Sequence, residues 1–160
     1  MCLITTQKIA LIANEDITVF KVLTENESAV YQLFTYEIGK VYTEKIEHSD
    51  EWCCLGILDV EWLQSNYPNG WKREPDLICL GQGFHSIDNL ESAKKVLVEG
   101  NEIHKIYECT IPKGSEYYKD AVGFMISSSL VINNQLKFSL KYNDETFYFE
   151  VVEDVNEEVS

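Results

Sequence analysis

GQGFHSIDNLESAKKVL, residues 81–97, carries the side chains best suited to chemistry. His85 and Ser86 stand side by side before a helix start. A histidine acting as general base needs an acid or a nucleophile within reach. Asp88 is near, but it better suits the helix cap. Ser86 lies in no GxSxG context. Gly81 and Gly83 lack the spacing of a phosphate loop or a dinucleotide fingerprint, and they suit a tight turn or a close chain crossing. Glu116, Tyr117 and Tyr118 follow Pro112 and Gly114 and could line a pocket mouth with His85; alternatively they are edge-strand aromatics packed over an apolar seam. No catalytic set assembles from these residues.

Metal chemistry has little to work with. His48, His85 and His104 show no HExxH spacing, and Cys53 and Cys54 are adjacent, so on a strand they point to opposite faces. Cys79 could approach them in space. Neither a metal nor a cofactor is expected. A second cluster, Trp62, Tyr67 and Trp71, offers binding instead. Asp59 caps a short helix over residues 60–66, which Val60 and Leu63 anchor. Pro68, Asn69 and Gly70 then force a turn that projects Trp71 beside Lys72, Arg73 and Glu74. Exposed tryptophan and tyrosine suit a protein interface. The alternative is that Trp62 packs on the core and Trp71 closes the loop.

Elements must position these groups. The chain has 160 residues, enough for one domain with an apolar core. Thirteen basic residues face 27 acidic ones, a formal net charge of -14. That balance repels phosphate backbones and anionic lipid, so neither direct nucleic-acid binding nor membrane binding is expected. Acidic excess serves solubility or a basic partner, and a nucleic-acid mimic is one form of the latter. Five cysteines at low density do not suggest a disulfide framework. The start, MCLITTQKIALIANED, lacks the order of a signal peptide, and no run reaches the roughly 18 apolar residues of a membrane helix. A cytoplasmic location is expected.

Residues 8–13 and 17–23 read as strands, and residues 29–34 as a possible third. Gly39 interrupts TYEIGKVYT, and residues 44–51 form a polar loop. Asp88 and Glu91 suggest a capping box, and Leu90, Ala93, Val96 and Leu97 give one apolar stripe, so a helix is expected over 89–99. HKIYECTIP alternates, with Tyr107, Cys109 and Ile111 on one face. Residues 129–132 form another strand. QLKFSLKY and TFYFEVV flank a turn and predict an antiparallel hairpin over 136–152, with Leu136, Phe138, Leu140 and Tyr142 inward.

The order YEIGKVYT, GFHSIDNLESAKKVL and YECTIPKGSEYY resembles small, mostly uncharacterised proteins of gut Bacteroidetes and their phages, over residues 17–132. That resemblance implies a compact α+β domain and no particular activity. GFHSI before a helix, followed by IPKGSEYY, is also similar to the ADP-ribosyltransferase-like fold. This likeness implies a serine-bearing strand beside a nicotinamide cofactor, completed by a downstream glutamate. Ser86 takes the serine position. Ser127, Ser128 and Ser129 stand where glutamate is wanted, and Lys21 occupies the rough place of an early arginine or histidine. Such a member would be degenerate or differently used.

The expected molecule is one α+β domain over residues 3–153, with an antiparallel or mixed sheet, one main helix and short additional helices. A flexible acidic tail follows over 154–160. Its expected role is a non-catalytic intracellular protein-interaction module contacting a partner through Trp62, Tyr67 and Trp71. The alternative is a degenerate ADP-ribosyltransferase-like or nucleotide-binding domain, with a pocket at Lys21, His85, Ser86 and Tyr117.

Overall fold

The computed structural model describes residues 3–5, 7–24, 34–49, 78–99 and 104–154. Trp62, Tyr67 and Trp71 lie outside the described residues, as do Cys53 and Cys54 and most of the expected tail.

Antiparallel strands dominate. An eight-stranded sheet contains β2 (Leu11–Ile12), β3 (Ile17–Thr24), β4 (Val41–Thr43), β7 (Phe84–Ile87), β8 (His104–Ile111), β9 (Glu116–Lys119), β10 (Phe124–Ser127) and β11 (Ser129–Gln135). Its order is β2-β9-β10-β7-β3-β8-β11-β4. A smaller sheet orders β1 (Leu3–Thr5), β6 (Ile78–Gln82) and β5 (Glu47–Ser49) as β1-β6-β5. Strands β12 (Phe138–Asn143) and β13 (Tyr148–Glu153) form a separate hairpin. The single helix among the described residues is α1 (Leu90–Glu99).

The α+β expectation is therefore corrected. Strands hold 57% of the described residues and the helix 9%, which makes the fold mainly β. The discrepancy arises from short strands next to polar turns. β5 falls inside a stretch read as loop. β9 and β10 were hidden on either side of KDAVG. There the Asp120 carboxylate accepts hydrogen bonds from the amides of Val122, Gly123 and Phe124 at 2.8, 2.9 and 3.0 Å, which folds the chain back as a hairpin.

The helix forms where its apolar stripe predicts. Ala93 and Leu97 are buried, with Leu90 and Val96 half-buried, against Ile87, Ile106, Phe20 and Val22 of the large sheet and Phe138, Leu140 and Val151 of the hairpin. Burying a leucine such as Leu97 contributes about 2 kcal/mol. The cap differs from expectation. Asn89, not Asp88, accepts the Ser92 amide at 2.8 Å, and Glu91 turns outward to pair with Lys94 at 3.5 Å. The side chain one residue nearer the helix has the reach.

Alternation assigns each sheet residue a face. Val19, Leu23, Phe84, Tyr107, Cys109, Ile111, Met125, Leu130 and Ile132 build one core. Phe20, Val22, Ile87 and Ile106 face the helix. Leu3, Ile46 and Leu80 cover Tyr118 and Ile126 to make a third cluster.

Candidate functional site

His85 and Ser86 do not converge. As neighbours on β7 they point to opposite faces. The register sets Ser86 opposite Met125 and His85 opposite Ile126. Both are closed off from solvent at the polar atom: among the described residues, neither His85 Nε2 nor Ser86 Oγ has a hydrogen-bond partner. Burial, with Lys21 nearby, lowers the His85 pKa to about 4, so the ring is neutral at pH 7.

Lys21 shares the Ser86 face, because it alternates with Phe20 and Val22, which face the helix. Its Nζ donates to the His85 carbonyl at 2.5 Å and lies 5.6 Å from the Tyr36 ring centre. The reason lies in the sheet. Strands β3 and β7 pair only at Phe20 and Ile87, so the lysine amine serves the His85 carbonyl where a ladder amide would otherwise do so. Desolvation pulls its pKa down to about 8, against a smaller upward pull from Cys109. The Cys109 thiol is fully buried and pushed up to about 12, mainly by desolvation. Tyr117 sits on β9, packed against the same core. Lys21, Ser86 and Tyr117 thus share a sheet face, and His85 lies behind it.

An open concavity among the described residues lies elsewhere. A pocket of about 530 Å³ lies between β4 and the β6–β7 bend. Phe34, Tyr36, Tyr42 and Phe84 form its aromatic wall, and Thr43, Glu44 and the run Gly81-Gln82-Gly83 complete it. None of Lys21, His85, Ser86 and Tyr117 lines it.

The wall is built locally. Gly39 adopts φ 83, and its amide donates to the Ile132 carbonyl at 2.8 Å, tying the turn to β11. The turn folds Tyr36 back on Tyr42, with ring centres 5.2 Å apart and nearly perpendicular. The Glu37 amide donates to the Tyr42 hydroxyl at 2.8 Å, and the Lys40 amine lies over that ring, 5.1 Å from its centre. Phe34 meets both tyrosines edge-on at 4.7 and 5.3 Å. Burial pushes the Tyr36 phenol well above its ordinary pKa, reinforced by Cys109, Glu44 and Tyr42, so it stays neutral. On the other side, Gly83 makes the bend between sheets at φ 132, and a Cβ there would meet Ile126 Cγ1 at 2.7 Å and the Ser127 carbonyl at 3.2 Å.

The lining residues bring aromatic rings, the hydroxyl-bearing Thr43 and two tyrosines, the Gln82 amide, two glycines and one carboxylate, Glu44. An anion would meet Glu44, whereas a neutral apolar or a basic group would not be opposed. Among the described residues, no group of three His, Cys, Asp or Glu side chains could hold a metal, and no helix is long and apolar enough to cross a membrane. Sequence reading missed the pocket because its walls come from segments some forty residues apart; the signal was two tyrosines spaced symmetrically about Gly39. Comparisons with protein-family models, with curated proteins and with solved structures found no match.

Proposed function

We propose that the protein is a non-catalytic intracellular binding module, and that a side chain of a protein partner enters the pocket between β4 and the β6–β7 bend. The observation carrying this reading is the aromatic wall of Phe34, Tyr36, Tyr42 and Phe84 around a space of about 530 Å³, with Glu44 as its carboxylate. Such a space accommodates an aromatic, aliphatic or basic side chain. The net charge of -14 favours partners that are not anionic. Of the groups with perturbed titration, Lys21, His85 and Cys109 line no part of the pocket, and Tyr36, which does, is held there as a neutral phenol suited to ring contacts.

The test is calorimetric titration with the N-acetyl amides of tryptophan, leucine, arginine and glutamate. Millimolar binding of at least one of the first three, weaker binding of the glutamate amide, and loss in Phe34→Ala are expected. Phe34 is partly exposed, so its truncation should spare the fold. Absence of binding by all four, or tighter binding of ADP-ribose than of any of them, would overturn the proposal.

A further inference from the structure

The apolar face of the β12–β13 hairpin outruns the element that covers it. Near its base, Phe138, Leu140 and Val151 pack against the helix cluster. The register then sets Tyr142 opposite Phe149, on the same face by alternation. Their rings meet edge-on at 5.4 Å, yet both are exposed. Beyond them, Phe147 and Tyr148 are 75% and 74% exposed. By alternation Tyr148 lies on the face opposite Phe149, and Phe147 sits in the turn, so exposed aromatic rings stand on both faces of the tip.

The tip is ordered by its own contacts. Asn143 Oδ1 accepts the amides of Glu145 and Thr146 at 2.9 and 3.3 Å, its Nδ2 donates to Glu150 at 2.9 Å, and the Phe147 amide donates to the Asn143 carbonyl at 2.8 Å. Phe147 is the non-glycine residue at positive φ, 62°, among the described residues. A bulky aromatic residue is a poor choice for that backbone region, where glycine or asparagine would be relaxed. Folding alone gives no reason for it, since the ring buries little of itself.

We propose that this tip is a docking finger that inserts into an apolar cleft of a partner protein with a basic rim. Charge selects that occupant. Residues 136–154 hold five carboxylates, Asp144, Glu145, Glu150, Glu153 and Asp154, against two lysines, Lys137 and Lys141. A second copy would bring a net charge of -14 against the same charge, and an anionic membrane would repel the tip likewise. The finger stands on the helix-bearing side of the large sheet, and the pocket wall residues Tyr36 and Phe84 belong to the core on the other side. The two surfaces are therefore independent.

The test is selection of a random displayed peptide library on the intact protein, with Phe147→Gly as counter-selection. Glycine relaxes at this φ, so the variant should melt no lower than the parent; Tyr148→Ser is the second variant. Enriched peptides are expected to join Lys or Arg to an apolar residue, to weaken with salt, and to lose about thirtyfold in affinity on either substitution. Phe34→Ala should leave their binding unchanged, which separates this surface from the pocket. Enrichment of peptides indifferent to both substitutions or rich in acids would overturn the proposal. So would self-association that Phe147→Gly abolishes, or tip-dependent binding to phosphatidylcholine vesicles.

Discussion

Replacing Lys21 by methionine should change how stability depends on pH. In the folded chain the Lys21 ammonium is buried, and its pKa falls from 10.5 to about 8. The unfolded chain keeps the ordinary value. Between the two, the unfolded state binds a proton that the folded state does not, so stability rises with pH from about 8 to 10.5. Below that window the lysine costs the fold about 3 kcal/mol. Cys109 acts in the other direction. Its pKa rises from 9.0 to about 12, so its contribution is lost as pH climbs through that interval. Tyr36, also raised, follows it at higher pH. The range from pH 7 to 9 thus isolates Lys21, and there the parent should gain about 1 kcal/mol that the variant lacks. Methionine keeps the packing but leaves the His85 carbonyl without the amine, at about 1–3 kcal/mol. Relief of the buried charge offsets that loss near neutrality, so the two proteins should differ little at pH 7. Urea denaturation at pH 7, 8 and 9 measures both quantities. Parallel pH curves for the two proteins, or a variant that loses most of its stability at pH 7, would refute the reasoning.

Three further outcomes follow from the same geometry. Gly83→Ala combines a positive φ with contacts to Ile126 and Ser127, and should cost about 3 kcal/mol, a fall of roughly 6–12 °C in melting temperature; an unchanged melting curve would contradict the close crossing. Asn89→Ala should cost about 1 kcal/mol and Asp88→Ala clearly less, since Asn89 holds the Ser92 amide; the reverse order in chemical denaturation would return the cap to Asp88. His85, lowered from 6.5 to about 4, binds its proton more readily in the unfolded chain, so it withdraws stability as pH falls from 6.5 through 4; imidazole resonances that titrate near 6.5 in the native protein would contradict its burial.

Legibility in the sequence followed the length and regularity of each pattern. The α1 stripe of Leu90, Ala93, Val96 and Leu97 and the alternation of Tyr107, Cys109 and Ile111 were readable, because one long face is buried in each. The hairpin was readable at its base, whereas Tyr142, expected inward, stands beyond the helix and is exposed, as is Phe149 opposite it. The fold class was misread because β5, β9 and β10 are three or four residues long, too short for periodicity to separate from loop. Parity along GFHSI already implied that His85 and Ser86 face apart, once that run is a strand. The pocket was invisible for a different reason. Tyr42 and Gly83 become neighbours only through the pairing of β4 with β11 and of β5 with β6, which no local pattern encodes.

Amide chemical shifts of the isotopically labelled protein, followed during titration with N-acetyl-tryptophan amide, test the binding-module reading most directly. The largest changes are expected at Thr43, Glu44, Gly81 and Gly83, which surround the pocket, and they should vanish in Phe34→Ala. Changes centred on Lys21 and Ser86 or on the Phe147 tip, or no changes at all, would contradict a recognition site between β4 and the β6–β7 bend.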